Sequence, residues 1–407
     1  MSVYDRIELT CGPVVPILSK AIRSQFVADK GNVLYGGDFS NIEGRLNAWF
    51  AGEQWKLDAF RDYDFGRGVE LYKLAYARSF GATVESVTKP QRQIGKTQEL
   101  ALGYQGSIGA WLRFDPKPDT VTKTIREQFH GTDSWRKAAE QYDRARGHHG
   151  LSVDSWIAIK VVINSWRESN SRIVQSWYEL QDAAIEAVDA QGSLVPALGG
   201  KVAYMVADGF LWCRLPSGKL LAYARPRLVT RVERWLVDAD GDPIDADELE
   251  EDELAARLAA GATIEEGLKR TQVQFYGKNQ KTGAWGLQYL YGGLQCNNVV
   301  QCTARELLRF AMHNVEQDED ACEEARAIMR FYHGTAAAYM QQLRNGQRDL
   351  SRWGYPIVLH IHDETVSEVA QGFGSVAEYE ALMKIVPPWL DGLPLAAKAW
   401  TDTRYVK

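Results

Sequence analysis

The sequence predicts an α/β fold of the α+β kind, with helices and antiparallel strands in separate stretches of the chain. Three stretches carry this reading. Asp115 to about Gln191 is mainly helical in its spacing. Lys201 to Arg231 is strand-rich, with Leu215-Pro216-Ser217-Gly218-Lys219 as a turn between apolar arms. Near the end, Pro356–Ile361 and Thr365–Val369 are β-branched runs broken at His362-Asp363-Glu364, which reads as a hairpin with charged residues at its tip.

The elements follow in order. A helix is expected around Val15 to Phe26, then a short apolar strand, Val33-Leu34-Tyr35-Gly36-Gly37, that delivers Asp38 at its end. Ile42, Leu46, Trp49, Phe50, Leu57 and Phe60 have helical spacing, so Ile42 to Phe60 is predicted as a helix, with another at Val69 to Phe80. Thr88 is a candidate N-cap with Pro90 just inside the start of a helix that runs to about Leu102, where Gly103-Tyr104-Gln105-Gly106 ends it. Trp135, Trp156, Trp166 and Trp177 are explained by core packing. Asp238 to Gly267 reads as an acidic, solvated insertion, either with a hairpin tip and a short helix from Glu248 to Leu258 or partly disordered. Asn297 to Met312 and Ala321 to Leu343 are amphipathic helix candidates, and no solenoid repeat is present.

The 407 residues are 45% hydrophobic, enough for two or three subdomains. No basic-apolar leader opens the chain and no apolar run reaches the roughly 18 residues of a membrane span, so a soluble, cytoplasmic protein with no membrane partner is expected. Cys11, Cys213, Cys296, Cys302 and Cys322 form no CxxC pair, which favours reduced structural cysteines over a zinc site. The net charge of −6 argues against a generically basic nucleic-acid binder. Yet ten acidic residues and no Lys or Arg lie between Asp238 and Glu253; taking those ten from −6 leaves +4 for the rest, which keeps a basic cleft available.

Three motifs carry candidate chemistry. In Asp38-Phe39-Ser40-Asn41-Ile42-Glu43-Gly44-Arg45 a carboxylate at a strand end leads into a helix, a rigid oxygen ligand for a metal ion, though alone it serves equally as an N-cap. Arg92 and Lys96 are four apart and share a helix face, where two cations can hold a triphosphate, or simply face water. Acidic groups at the tight turn His362-Asp363-Glu364 call for a compensating positive charge such as a divalent ion, unless the turn is only polar.

Taken together, the motifs resemble those of the DNA polymerase I family (family A), and more closely its temperate-phage branch. The Asp38 segment is similar to motif A, Arg92…Lys96…Leu100…Tyr104-Gln105-Gly106 to motif B, and His362-Asp363-Glu364 to motif C. Asn297 to Ala304, including Gln301, is similar to the family's template-side helix. The resemblance spans Ile7 to Trp400 and implies a right-hand polymerase: a palm built on an antiparallel sheet, with a helical fingers subdomain. Residues 1–60 would be the first part of the palm, 61–290 the fingers with the acidic insertion near 238–266, and 291–407 the second part of the palm with the motif C hairpin.

The resemblance implies template-directed addition of deoxynucleotides to a primer 3′-hydroxyl by two-metal chemistry, with two Mg²⁺ ions or Mn²⁺ in their place. Asp38, Asp363 and the Phe39 backbone carbonyl would hold the metals, with Glu364 as a secondary carboxylate. Arg92 and Lys96 would bind the triphosphate, Lys96 also protonating pyrophosphate. Tyr104 would stack near the templating base and Glu43 would block the sugar 2′-position. His362, Asn297, Gln301 and Arg45 would contact DNA or lie beside it. Primer-template DNA and deoxynucleoside triphosphates are the implied partners, in a bacterial host cell if the chain is phage-encoded. Leu100 stands where the family usually has an aromatic ring against the incoming sugar. Only about 37 residues precede Asp38, so a further expectation is that a separate subunit supplies the thumb or exonuclease, or that the Asp115 to Gln191 region takes the place of the thumb. The alternatives are a single-subunit RNA polymerase of the same palm, disfavoured by Phe39, Glu364 and Glu43, and a non-catalytic nucleic-acid-binding subunit.

Overall fold

The structure, a computed structural model, describes residues 25–145, 147–237, 243–246, 249, 251–279, 282–316 and 354–406. Strand β1 (Asn32–Phe39) leads into helices α1 (Ile42–Ala51), α2 (Gln54–Asp64), α3 (Leu71–Phe80) and α4 (Lys89–Leu102). Helices α5 (Ile108–Phe114), α6 (Asp119–Phe129), α7 (Asp133–Arg144), α8 (Val153–Ser169) and α9 (Ser171–Asp189) follow. Next come β2 (Val195–Ala197), β3 (Val202–Ala207), β4 (Phe210–Arg214), β5 (Leu220–Val237), β6 (Ile244–Asp245), α10 (Glu251–Ala259), β7 (Thr263–Lys278) and β8 (Trp285–Leu290). Helix α11 (Gly292–Glu316), the hairpin β9 (Ile357–Ile361) and β10 (Glu364–Ala370), α12 (Val376–Met383) and β11 (Ala397–Asp402) complete the chain. The expected helix at Ala321–Leu343 lies outside the described residues, as does that at Val15–Phe26 but for its last two positions.

Two compact units divide the chain, residues 44–301 and residues 1–43 with 302–407. In the first, α8 buries Trp156, Ile157, Ala158, Ile159, Val161, Val162, Ile163 and Trp166, an apolar surface that runs nearly all round the helix. A helix of that kind belongs at a centre, and α3 to α7 and α9 pack on it. Each fully buried large side chain of this sort stabilises the fold by about 1.5–3 kcal/mol. The antiparallel order β2-β3-β4-β5-β7-β8, with β6 paired to β5, forms the sheet of this unit, and α9 packs along β2 to β5 and β7.

The single helix expected over Ile42–Phe60 is two helices. Gly52 turns the chain with a φ of 68°, and Glu53 beside it is 6% exposed. The Glu53 carboxylate accepts the first-turn N–H groups of Arg172 and Ile173 in α9 at 3.0 and 3.4 Å, so it serves another helix's N-terminus rather than continuing its own. Periodicity could not reveal a partner more than a hundred residues away.

In the second unit the sheet order is β11-β1-β10-β9, all antiparallel. Tyr35 packs against Tyr355 and Tyr379, and α12 covers that face. On the opposite face Leu34, Val366 and Tyr405 form a small core with Trp400 and Leu359 against it. No described helix is long and apolar enough to cross a membrane.

Candidate active site

The register of β1 with β10 sets Asp38 directly across from Glu364, and on its other side β11 sets Lys398 across from Asp38. Directly opposed residues in an antiparallel pair point to one face. Asp38 is therefore a strand residue and not the N-cap of α1, which begins at Ile42 after Asn41 with a φ of 52°. Asp363 lies in the two-residue turn between β9 and β10, next in sequence to the residue opposite Asp38. Its side chain makes no hydrogen bond or ion pair with the described residues. His362 holds the same turn at a φ of 55° and is exposed.

Two glycines prepare this strand end. A Cβ on Gly36 would fall 2.1 Å from the Trp400 ring, and one on Gly37 would fall 2.4 Å from the Met383 sulfur on the other face. Only glycine admits such close approach on both sides of a strand. Trp400 thereby lies across β1 opposite Gly36, two residue pairs from Asp38 and Lys398.

Glu364, expected at the hairpin tip, lies in the strand just after it and directly across from Asp38. Glu364 is the first residue of β10 and 5% exposed, and it accepts hydrogen bonds from Trp400 Nε1 at 3.4 Å and from the Tyr405 hydroxyl. It is an anchor between β10 and the chain end, with both oxygens in use. Among the described residues no cluster of three or more His, Cys, Asp or Glu is placed to hold a metal. Asp38 and Asp363 remain as a two-carboxylate set, which suits Mg²⁺, an ion usually held by one or two carboxylates together with waters and phosphates. Glu43 is exposed in the first turn of α1.

Residues 44–301 hold the expected cationic helix. Thr88 and Gln91 close α4 with a reciprocal capping box, and Pro90 sits in its first turn. Arg92, about one-third exposed, is engaged in a two-pronged ion pair by Glu70, with Nε donating to Oε2 at 2.6 Å, and its guanidinium lies 5.6 Å from the Tyr72 ring. Lys96, one turn on, is partly exposed and makes no hydrogen bond or ion pair with the described residues. Leu100, on the next turn, is 44% exposed. Gly95 is where α3 and α4 touch, for its Cβ would meet the Tyr72 carbonyl at 2.0 Å.

The predicted stop of α4 at Gly103 holds, by a different device. Gly103 keeps a right-handed φ of −58°, and its carbonyl accepts Asn47 Nδ2 at 3.0 Å and Trp177 Nε1 at 3.1 Å. The reversal falls on Gln105, with a φ of 63°. Gln105 Oε1 accepts the Gly293 N–H at 2.9 Å, which seats the Tyr104-Gln105 loop at the start of α11, one and two turns before Asn297 and Gln301. Gln301 is exposed and Asn297 partly so.

Arg45 does not present itself to DNA as expected. It is 2% exposed, with its fork bound to both Asp64 oxygens at 2.6 and 2.7 Å and its Cζ 4.5 Å from the Phe60 ring. Lys398, Glu70, Trp400 and Tyr405 had no motif to flag them; each gained its place through strand register or helix packing.

No family profile matches the chain. Over 406 residues it is 30% identical to the DNA polymerase of Bacillus phage SP02, covering 99% of this chain and 46% of that protein. The chain is thus similar to DNA polymerases, and it spans about half the length of that relative. Within that class, shorter stretches are similar to DNA polymerase I. That of Chloroflexus aurantiacus is 26% identical over 179 residues, 44% of this chain and 18% of that one. That of Pseudomonas aeruginosa is 33% identical over 92 residues, 23% of this chain and 10% of that one. The POL domain of Pol1 from M. smegmatis, solved in complex with DNA primer-template and dNTP, has a TM-score of 0.43 and 15% identity, covering 97% of this chain and 43% of that one.

Proposed function

We propose that the chain is a template-directed DNA polymerase that joins deoxynucleotides to a primer 3′-hydroxyl, with primer-template DNA and deoxynucleoside triphosphates as its substrates. The carrying observation is the β1–β10 register, which brings a strand-end Asp38 beside the turn that holds Asp363. Carboxylates at two rigid chain positions suit hard divalent ions better than flexible loops would.

Asp38 and Asp363, with the Phe39 backbone carbonyl, hold Mg²⁺ in this reading. These groups would hold the ion where it would supply charge neutralisation for the triphosphate and acidify the attacking hydroxyl. Lys96 binds a phosphate as a point charge and donates the proton that pyrophosphate needs on leaving. Arg92 offers a fork to the same triphosphate and must exchange Glu70 for it. Glu43 excludes a 2′-hydroxyl, Tyr104 supports the templating base, and Asn297 and Gln301 read the minor groove while His362 contacts the primer. Glu364 fixes β10 so that the Asp363 turn keeps its place.

Primer extension tests this directly. With Mg²⁺, the parent chain should add deoxynucleotides, and Asp363→Asn should lower the rate roughly a hundredfold or more. Failure of metal-dependent synthesis in the parent under every template condition overturns the proposal. Equal use of ribonucleotides overturns the role given to Glu43.

A further inference from the structure

The sheet of residues 44–301 has one face against α9, where Tyr204, Leu211, Cys213 and Tyr223 are buried. The opposite face, over β3 to β5, the near end of β7, and β8, carries an unusual set of side chains. On β4, Phe210 and Trp212 stand opposite Ala224 and Ala222 of β5, and Ala224 stands opposite Tyr276 of β7. Two alanines thus floor a shallow trough with aromatic rings along both sides. Tyr276 is 36% exposed, and Trp285, paired with Lys278 at the sheet edge, is 70% exposed. The Arg225 guanidinium lies 5.7 Å from the Tyr276 ring.

Charge follows the same outline. The strand segments that carry this face, 210–214, 220–229, 271–278 and 285–290, contain four Lys or Arg (Arg214, Arg225, Arg227 and Lys278) and no Asp or Glu, in a chain with 53 acidic residues and a net charge of −6. A protein-binding patch needs no such purge of carboxylates, whereas phosphates do. Exposed rings beside cations are what splayed bases stack on, and a duplex hides its base faces.

We propose that this outer sheet face binds single-stranded DNA, with bases stacked on Tyr276 and Trp285 and phosphates met by Arg225 and Lys278. None of these four residues is given a role in synthesis, and the assignment does not depend on the polymerase reading.

Fluorescence anisotropy of a labelled oligo(dT) of about 16 nucleotides, with the full chain and no nucleotide or metal, reads this binding. The double substitution Tyr276→Ala with Trp285→Ala should weaken it roughly tenfold or more. Lys278→Glu should weaken it and reduce the slope of log affinity against log salt by about 1. All three positions are exposed, so the thermal melt should be unchanged. Primer extension by the double variant at saturating primer-template should match the parent, which separates failure of this proposal from failure of the polymerase one. Parent-like affinity in the double variant, or an equal loss for a blunt duplex of the same length, overturns the single-strand assignment.

Discussion

Arg92 shows how a residue's partner alters what its position implies. Glu70 occupies its fork in the structure, with both side chains about one-third exposed. The ion pair itself is worth little in that setting. It nevertheless competes with a triphosphate for the same donors. Glu70→Gln should therefore lower the KM for deoxynucleotides several-fold with kcat little changed, whereas Arg92→Ala should raise KM, both read by steady-state extension. Cys296 offers a different residue-scale test. Burial pushes its thiol from 9.0 up to about 12, and its Sγ donates to Asn47 Oδ1 at 3.4 Å. Since the folded form holds its proton more tightly than the unfolded chain, this thiol favours folding fully below pH 9 and the benefit is lost as pH rises toward 12. The melting temperature of the parent should fall more steeply between pH 8 and 10 than that of Cys296→Ala.

At the scale of elements, Gly95 sets two effects against each other. Alanine in a helix interior is favoured over glycine by about 1 kcal/mol. Here the added Cβ would stand 2.0 Å from the Tyr72 backbone carbonyl, which cannot rotate aside as a side chain would. Overpacking of this kind costs typically 1–3 kcal/mol, so the net sign is destabilising and thermal melts of Gly95→Ala should show it. The motif elements were legible where the signal was local. Thr88, Pro90 and Gln91 announce α4, and the two β-branched runs announce β9 and β10, because capping and alternation involve neighbours only. The break at Gly52 and the burial of Glu53 were not legible, since their cause is the N-terminus of α9.

For the whole molecule, metal binding should register as stability. A ligand that binds only the folded chain at ten times its Kd stabilises it by about 1.4 kcal/mol. Mn²⁺ or Mg²⁺ should raise the melting temperature of the parent, and Asp38→Asn with Asp363→Asn should abolish the rise without any assay of synthesis. The sequence by itself determined the alternation of helical and strand-rich stretches, the three ordered motifs and the carboxylates Asp38 and Asp363, because each is written in contiguous residues. Only the tertiary structure decided that Glu364 is held by Trp400 and Tyr405, Arg45 by Asp64 and Arg92 by Glu70. Those partners lie 19 to 41 residues away along the chain. Which charge meets which at such separations is set by strand register and helix packing, and these are properties of the folded chain rather than of any local pattern.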